Sequence, residues 1–154
     1  MSKLDDIDLS ILSNLQKNGR MTNVELATRA GISAPPCLRR LKSLETSGII
    51  RGYYADIDTS VVGYNFEALC FVSLVRQSAS CMKEFVDKIQ DMKQIRSCLA
   101  TTGEFDFILR IVAHDFASYE EFLSQNLSNI DNIGQIKTYV IMKCNKDEKG
   151  VPLR

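Results

Sequence analysis

Only three residues, Gly31, Ile32 and Ser33, separate two stretches of helical period, and that short gap constrains the chain more than any other feature. Upstream, Thr22 and Glu25 stand at capping-box spacing ahead of Leu26, Ala27 and Ala30. Downstream, Cys37, Leu41 and Leu44 share one face of residues 33–48, and Gly48 stands where a left-handed C-terminal cap is wanted. Two helices joined so closely must turn sharply, with Gly31 at the corner, and that arrangement is a helix-turn-helix. Opposite the apolar stripe of the second helix lie Pro35, Arg39, Lys42, Ser43 and Thr46, with Leu38 and Arg40 on the flanks. Ser33 would ordinarily cap this helix by accepting from amides two or three residues on. Those positions are Pro35 and Pro36, which have no N–H, so the hydroxyl is left to reach outward.

Charge sharpens this reading. The 154-residue chain is formally neutral, yet between Arg20 and Arg51 six cations (Arg20, Arg29, Arg39, Arg40, Lys42, Arg51) face two anions, Glu25 and Glu45. Local positive charge on a neutral protein is the footprint of a nucleic-acid contact surface. The five cysteines show no CxxC spacing, and three of them lie in strand-like apolar runs, so they read as small buried hydrophobes in a reducing compartment. With an acidic N-terminal stretch and no apolar run of membrane-spanning length, a cytoplasmic protein without a targeting segment or membrane partner is expected.

Ahead of the helix-turn-helix, residues 4–19 place Leu4, Ile7, Ile11, Leu12 and Leu15 on one helical face, behind Asp5, Asp6 and Asp8. Beyond Gly48 the period changes: residues 49–58 are β-branched and aromatic and read as a strand leading out of the helical module. The expected division is a DNA-binding domain over 1–50, a linking strand and connection over 51–65, and a second domain over 66–154. In that domain strands are expected over 66–75, 95–102, 105–113 and 136–144, with helices over 80–92 and from the Asp115 cap through Phe116, Tyr119, Phe122, Leu123, Leu127 and Ile130. Gly103-Glu104 forms the hairpin turn. The fold class is therefore α+β: an N-terminal helix-turn-helix of winged-helix type, a strand linker, and a C-terminal βαββαβ ferredoxin-like domain. The strand over 66–75 is apolar on both faces. Two helices cover one face, so the other is expected to be buried by the same sheet of a second subunit.

The run Ser33-x-x-x-Cys37-x-x-Arg40-Leu41-x-x-Leu44-Glu45-x-x-Gly48-Ile49-Ile50 resembles the helix-turn-helix of the Lrp/AsnC, or feast/famine, family of bacterial and archaeal transcription regulators. The opening LDDIDLSILSNLQKNGRMTNVELA resembles it too, and Thr102-Gly103-Glu104-Phe105-Asp106 is similar to the family's Gly-(Asp/Glu)-x-Asp turn. The resemblance spans nearly the whole chain. It departs at Ala34-Pro35-Pro36, where many members place a proline immediately after the serine. It implies dimers paired through the linking strand and the sensing domains, assembling into tetramers or octamers. It also implies double-stranded DNA bound by paired recognition helices, and an amino acid bound between dimers near the hairpin.

The expected DNA-contacting residues are Arg20, Asn23, Ser33, Pro35, Arg39, Arg40, Lys42 and Arg51. Arg39 is the choice for a guanine edge, which a guanidinium can bond twice, and Lys42, Arg20 and Arg51 are phosphate contacts. Arg40 reads equally well as half of an internal ion pair. For the effector, the resemblance directs attention to Thr101, Thr102, Gly103, Glu104, Asp106, Gln135 and Thr138. Gly103 lets backbone amides approach a carboxylate, and Glu104 or Asp106 supplies charge for an ammonium. Without the resemblance Gly103-Glu104 reads as an ordinary hairpin turn. No catalytic constellation, metal-ligand spacing or cofactor-cradling glycine loop is visible, and His114, the only histidine, reads as a loop residue. The leading expectation is a transcription regulator responding to an amino acid. The alternative is an architectural, chromatin-like DNA-binding protein with no small-molecule effector.

Overall fold

In the computed structural model, which describes residues 4–153, the chain forms two units. The first comprises the residues up to Asp56 together with those from Lys146 onward, and the second is Ile57–Asn145. In space the segment after residue 145 groups with the helical unit.

Three helices build the first unit: α1 (Asp6–Lys17), α2 (Asn23–Ala30) and α3 (Ala34–Thr46). Each starts where its local chemistry dictates. Asp5 caps α1 by accepting from the Asp8 amide at 2.9 Å, while the Asp8 carboxylate accepts from the Asp5 amide. Thr22 and Glu25 form the same reciprocal box on α2. Gly31 adopts the left-handed conformation at the corner (φ 70°), and Gly48 does so after α3 (φ 73°). Both need glycine because a Cβ at positive φ is strained. The interior is Ile11, Leu26, Ala27, Cys37 and Leu44, with Leu4, Ile7, Leu15, Met21 and Leu41 packed around it.

The strand expected over residues 49–58 is not formed; among the described residues this stretch joins no sheet. A strand is defined by a ladder, and the described residues of the first unit hold no strand for it to pair with. Side chains hold it instead: the Tyr53 hydroxyl donates to Glu45 Oε1 at 2.9 Å, and its ring lies over Gly19. Burial, and then the Glu45 carboxylate, push the Tyr53 phenol up to about 12. The later segment is fastened more tightly. Gln16 on α1 donates through Nε2 to the Val151 carbonyl (3.0 Å) and accepts the Val151 amide at Oε1 (2.7 Å), so a side-chain amide pairs with a peptide as a neighbouring strand would. Gly150 (φ 86°) makes the approach possible, since a Cβ there would lie 2.0 Å from Gln16 Oε1.

The second unit is a four-stranded sheet in the order β2-β3-β1-β4, every neighbour antiparallel. In chain order its elements are β1 (Phe66–Leu74), α4 (Ala79–Ile89), β2 (Ile95–Ala100), β3 (Phe107–Ala113), α5 (Phe116–Gln125), a 3-10 turn (Leu127–Asn129) and β4 (Ile133–Val140). This is the βαββαβ sandwich. Ala68, Cys70, Val72 and Leu74 of β1 and Phe107, Leu109, Ile111 and Ala113 of β3 alternate inward, under Phe85 and Ile89 of α4 and Tyr119 and Phe122 of α5. The opposite face carries Phe71, which packs edge-on against Phe105 and Tyr139, and, across Ile108 of β3, Leu99, left 57% exposed. The face expected to need a second subunit thus exposes apolar side chains, alongside the charged pairs Glu67–Arg110 and Glu104–Lys137.

Several element bounds differ from the sequence expectation: α4 ends at Ile89 and β4 at Val140, short of residues 92 and 144, and three further differences have a visible cause. The hairpin turn at Gly103-Glu104 widens into a loop over residues 101–106, because Thr101 closes it early by donating to the carbonyls of Phe105 (hydroxyl) and Asp106 (amide). Strand β4 starts three residues sooner, behind Asn132 in the left-handed conformation (φ 75°), whose side-chain amide pairs both ways with the Arg76 backbone. Helix α5 stops at Gln125, so Leu127 reaches the core from the 3-10 turn rather than from the helix.

Candidate DNA-reading face and effector loop

Helix α3 turns its apolar stripe into the three-helix core and leaves an outer stripe of Pro35, Leu38, Arg39 and Lys42, all exposed, at spacings of three, four and seven residues. Ser33 makes no side-chain capping bond, as the prolines require. No carboxylate among the described residues pairs with Arg39 or Lys42, so their charge faces outward. Arg20 and Arg51 are exposed as well, on the loop before α2 and on the segment after α3. Leu38 is the member of the stripe that sequence reasoning left on the flank; it is 41% exposed.

Two other expected DNA contacts are engaged inside the unit. Arg40 Nη1 lies 2.8 Å from both Asp5 Oδ2 and Asp8 Oδ1 and ties α3 to the start of α1. The Asp8 amide, and then the Arg40 guanidinium, hold the Asp5 carboxyl below its usual range. Asn23 donates through Nδ2 to the Ala34 carbonyl at 2.9 Å, and its Oδ1 is buried with no partner among the described residues. Asn23 thereby sets α2 against the first turn of α3.

In the second unit the loop over 101–106 gathers at the end of β1. One Asp106 oxygen accepts the Leu74 amide at 2.7 Å while its own amide donates to Val72, so this carboxylate pins the loop to the strand. Glu104 reaches Lys137 of β4 at 3.1 Å, and the Lys137 ammonium sits 5.0 Å over the Phe105 ring. Ser73 donates to the Glu104 carbonyl and lies in register with Gln135. Gly103 (φ 131°) has nothing within 4 Å of where a Cβ would be, and Thr102 and Gly103 are exposed beside it. Thr101, Glu104, Asp106 and Gln135 are thus brought to one end of the sheet.

Thr138 is not brought there. Its hydroxyl lies 2.5 Å from the Tyr119 hydroxyl and 3.6 Å from Cys70 Sγ, on the helix-covered face. Burial, with the Cys70 contact, pushes the Tyr119 phenol upward. Side chains in a strand alternate, so Gln135 and Thr138, three residues apart, point to opposite faces. The same parity would have found Lys137, which sequence reasoning missed. Among the described residues no group of three potential metal ligands is gathered, and no helix is long and apolar enough to cross a membrane.

Comparison with known proteins agrees with both halves of this arrangement. Residues 4–51 match the model of a winged helix-turn-helix DNA-binding domain, and residues 67–151 match that of the Lrp/AsnC ligand binding domain. The leucine-responsive regulatory protein of Rhizobium meliloti (strain 1021) is 43% identical over 145 residues, 94% of this chain and 93% of that protein. Its namesake from Escherichia coli (strain K12) is 34% identical over 140 residues, covering 91% of this chain and 85% of the other. Among solved structures, a transcriptional regulator from Neisseria meningitidis in complex with L-Met superimposes with a TM-score of 0.92 at 34% identity, covering 97% of each chain.

Proposed function

The chain belongs to the Lrp/AsnC family of transcription regulators, and from that premise we propose that α3 enters the major groove as its recognition helix while an apolar amino acid binds at the loop over 101–106. As a member it is a DNA-binding regulator with an amino-acid-binding domain, and not an enzyme. The observation that carries the groove assignment is the division of labour among three neighbouring cations. Arg40 is neutralised by Asp5 and Asp8, whereas Arg39 and Lys42 point outward. In this reading Arg39 bonds a guanine edge, Lys42, Arg20 and Arg51 hold phosphates, Ser33 and Pro35 meet the groove at the helix tip, and Asn23 and Arg40 position the helix without touching DNA.

For the effector, exposed backbone at Thr102 and Gly103 receives the carboxylate, and Glu104, released from Lys137, receives the ammonium. Gln135 and Thr101 complete the polar lining. Asp106 anchors the loop, and Thr138 belongs to the core network. Leucine and methionine are the first ligands to try, since relatives are named for response to the one and solved with the other. The uncovered sheet face pairs with that of a second copy, the linking segment over 51–65 pairs with its counterpart, and such dimers assemble further, acting on DNA in the cytoplasm.

Gel retardation on DNA from upstream of the protein's own gene, at fixed salt and with each common amino acid in turn, tests the proposal. Sequence-selective complexes whose affinity or mobility shifts with one or a few amino acids are expected. Binding indifferent to sequence and to every amino acid would mark the architectural protein instead.

A further inference from the structure

The tip of α3 is poor in hydrogen-bonding groups. Pro35 and Pro36 carry no N–H, the Cys37 amide donates to the Ser33 carbonyl at 3.2 Å, and the Ala34 carbonyl is taken by Asn23. An anion cradled by free amides, the usual service of a helix N-terminus, has little to hold here. What the first two turns present outward is hydrocarbon, the Pro35 ring and the Leu38 side chain, with Arg39 directly beside them. A single exposed leucine is ordinary on a protein surface. This one shares a helical stripe with Pro35 and two outward-facing cations. On the floor of the major groove the one methyl group is that of thymine at C5; apart from the small C5–H of cytosine, the other edge groups are donors or acceptors.

We propose that Leu38, flanked by Pro35, reads the 5-methyl group of a thymine within about one or two base pairs of the guanine bonded by Arg39, the span set by helix rise against base stacking. The assignment rests on the placement of α3 in the groove. It makes the half-site a composite in which one helix face supplies a hydrogen-bonded purine edge and a neighbouring apolar contact. Leu38 determines specificity by favouring thymine over cytosine, which offers only hydrogen at C5 in place of the methyl.

The test uses the full chain and a site obtained by selection from random duplexes. Each thymine is replaced singly by deoxyuridine, which removes the methyl and nothing else, and Kd is measured at one salt concentration for the wild type, Leu38→Ala and Arg39→Ala. For the wild type, one thymine per half-site is expected at which deoxyuridine weakens binding about fourfold, the worth of one buried methyl group. That penalty vanishes in Leu38→Ala and persists in Arg39→Ala. A wild type indifferent to deoxyuridine at every position overturns the proposal, as does a penalty that survives in Leu38→Ala. If Arg39→Ala also keeps the wild-type affinity and footprint, the groove placement fails with it; if Arg39→Ala loses affinity, only the thymine assignment fails.

Discussion

Arg39 and Arg40 are neighbours of the same type with opposite situations, and the difference yields two predictions. Arg39→Ala should cost about 1–3 kcal/mol on specific DNA and relax sequence preference, while Lys42→Ala should weaken all sequences alike and lower the salt slope by about one. Binding titrations at several salt concentrations check both. Arg40→Ala should leave the choice of sequence intact and alter the acid limb of stability. Asp5 has a folded-state pKa below its ordinary value, set by the Asp8 amide and then by Arg40. Its contribution is therefore complete above the ordinary carboxylate pKa of about 3.9 and is lost as pH falls through the lower folded value. Thermal melts below about pH 4 should show a shallower decline in Arg40→Ala than in the wild type; parallel curves would contradict the assigned role. At this scale the sequence places both arginines on α3 and allows Arg40 an internal ion pair, which the structure bears out, but it does not name Asp5 and Asp8 of the α1 start as the partners. It treated Gln135 and Thr138 as companions although strand parity separates them, because Gln135 was weighed as a polar side chain and not as a direction.

Elements were the most legible level, since their ends are decided locally. Thr22 and Glu25 close a capping box, Gly31 and Gly48 take positive φ, and Ser33 is left uncapped by the two prolines, each read directly from spacing. Thr22→Ala should destabilise the first unit by about 0.5–2 kcal/mol, measured by denaturant midpoint at unchanged slope. Where expectation missed, the deciding partner lay far away in sequence. The loop over 101–106 is fixed by Asp106 reaching the Leu74 amide, and the start of β4 is fixed by Asn132 reaching Arg76. Residues 49–58 have the composition of a strand and no ladder among the described residues; composition announces willingness to pair, not a partner.

For the whole molecule, the uncovered sheet face carries the next prediction. Leu99 and Tyr139 are more than half exposed on a face that also holds Phe71. On the proposed pairing of this face with a second copy, Leu99→Glu should shift the mass distribution toward smaller species, seen by light scattering over a concentration series, because a carboxylate among apolar groups is costly to desolvate. An unchanged mass distribution would remove this face from the interface.

The pairing of Gln16 with Val151 bears on how such a regulator can be rearranged by recombination. The DNA-reading unit is contiguous in space but not along the gene, because the stretch that includes Val151 is encoded after the entire sensing sheet. A single crossover near residue 56 would join one parent's helices to another parent's closing segment, and Gln16 would meet a residue at position 150 selected elsewhere, where any side chain in place of glycine collides. Exchange of specificity between relatives is then clean only when the helices and the segment that includes Val151 travel together.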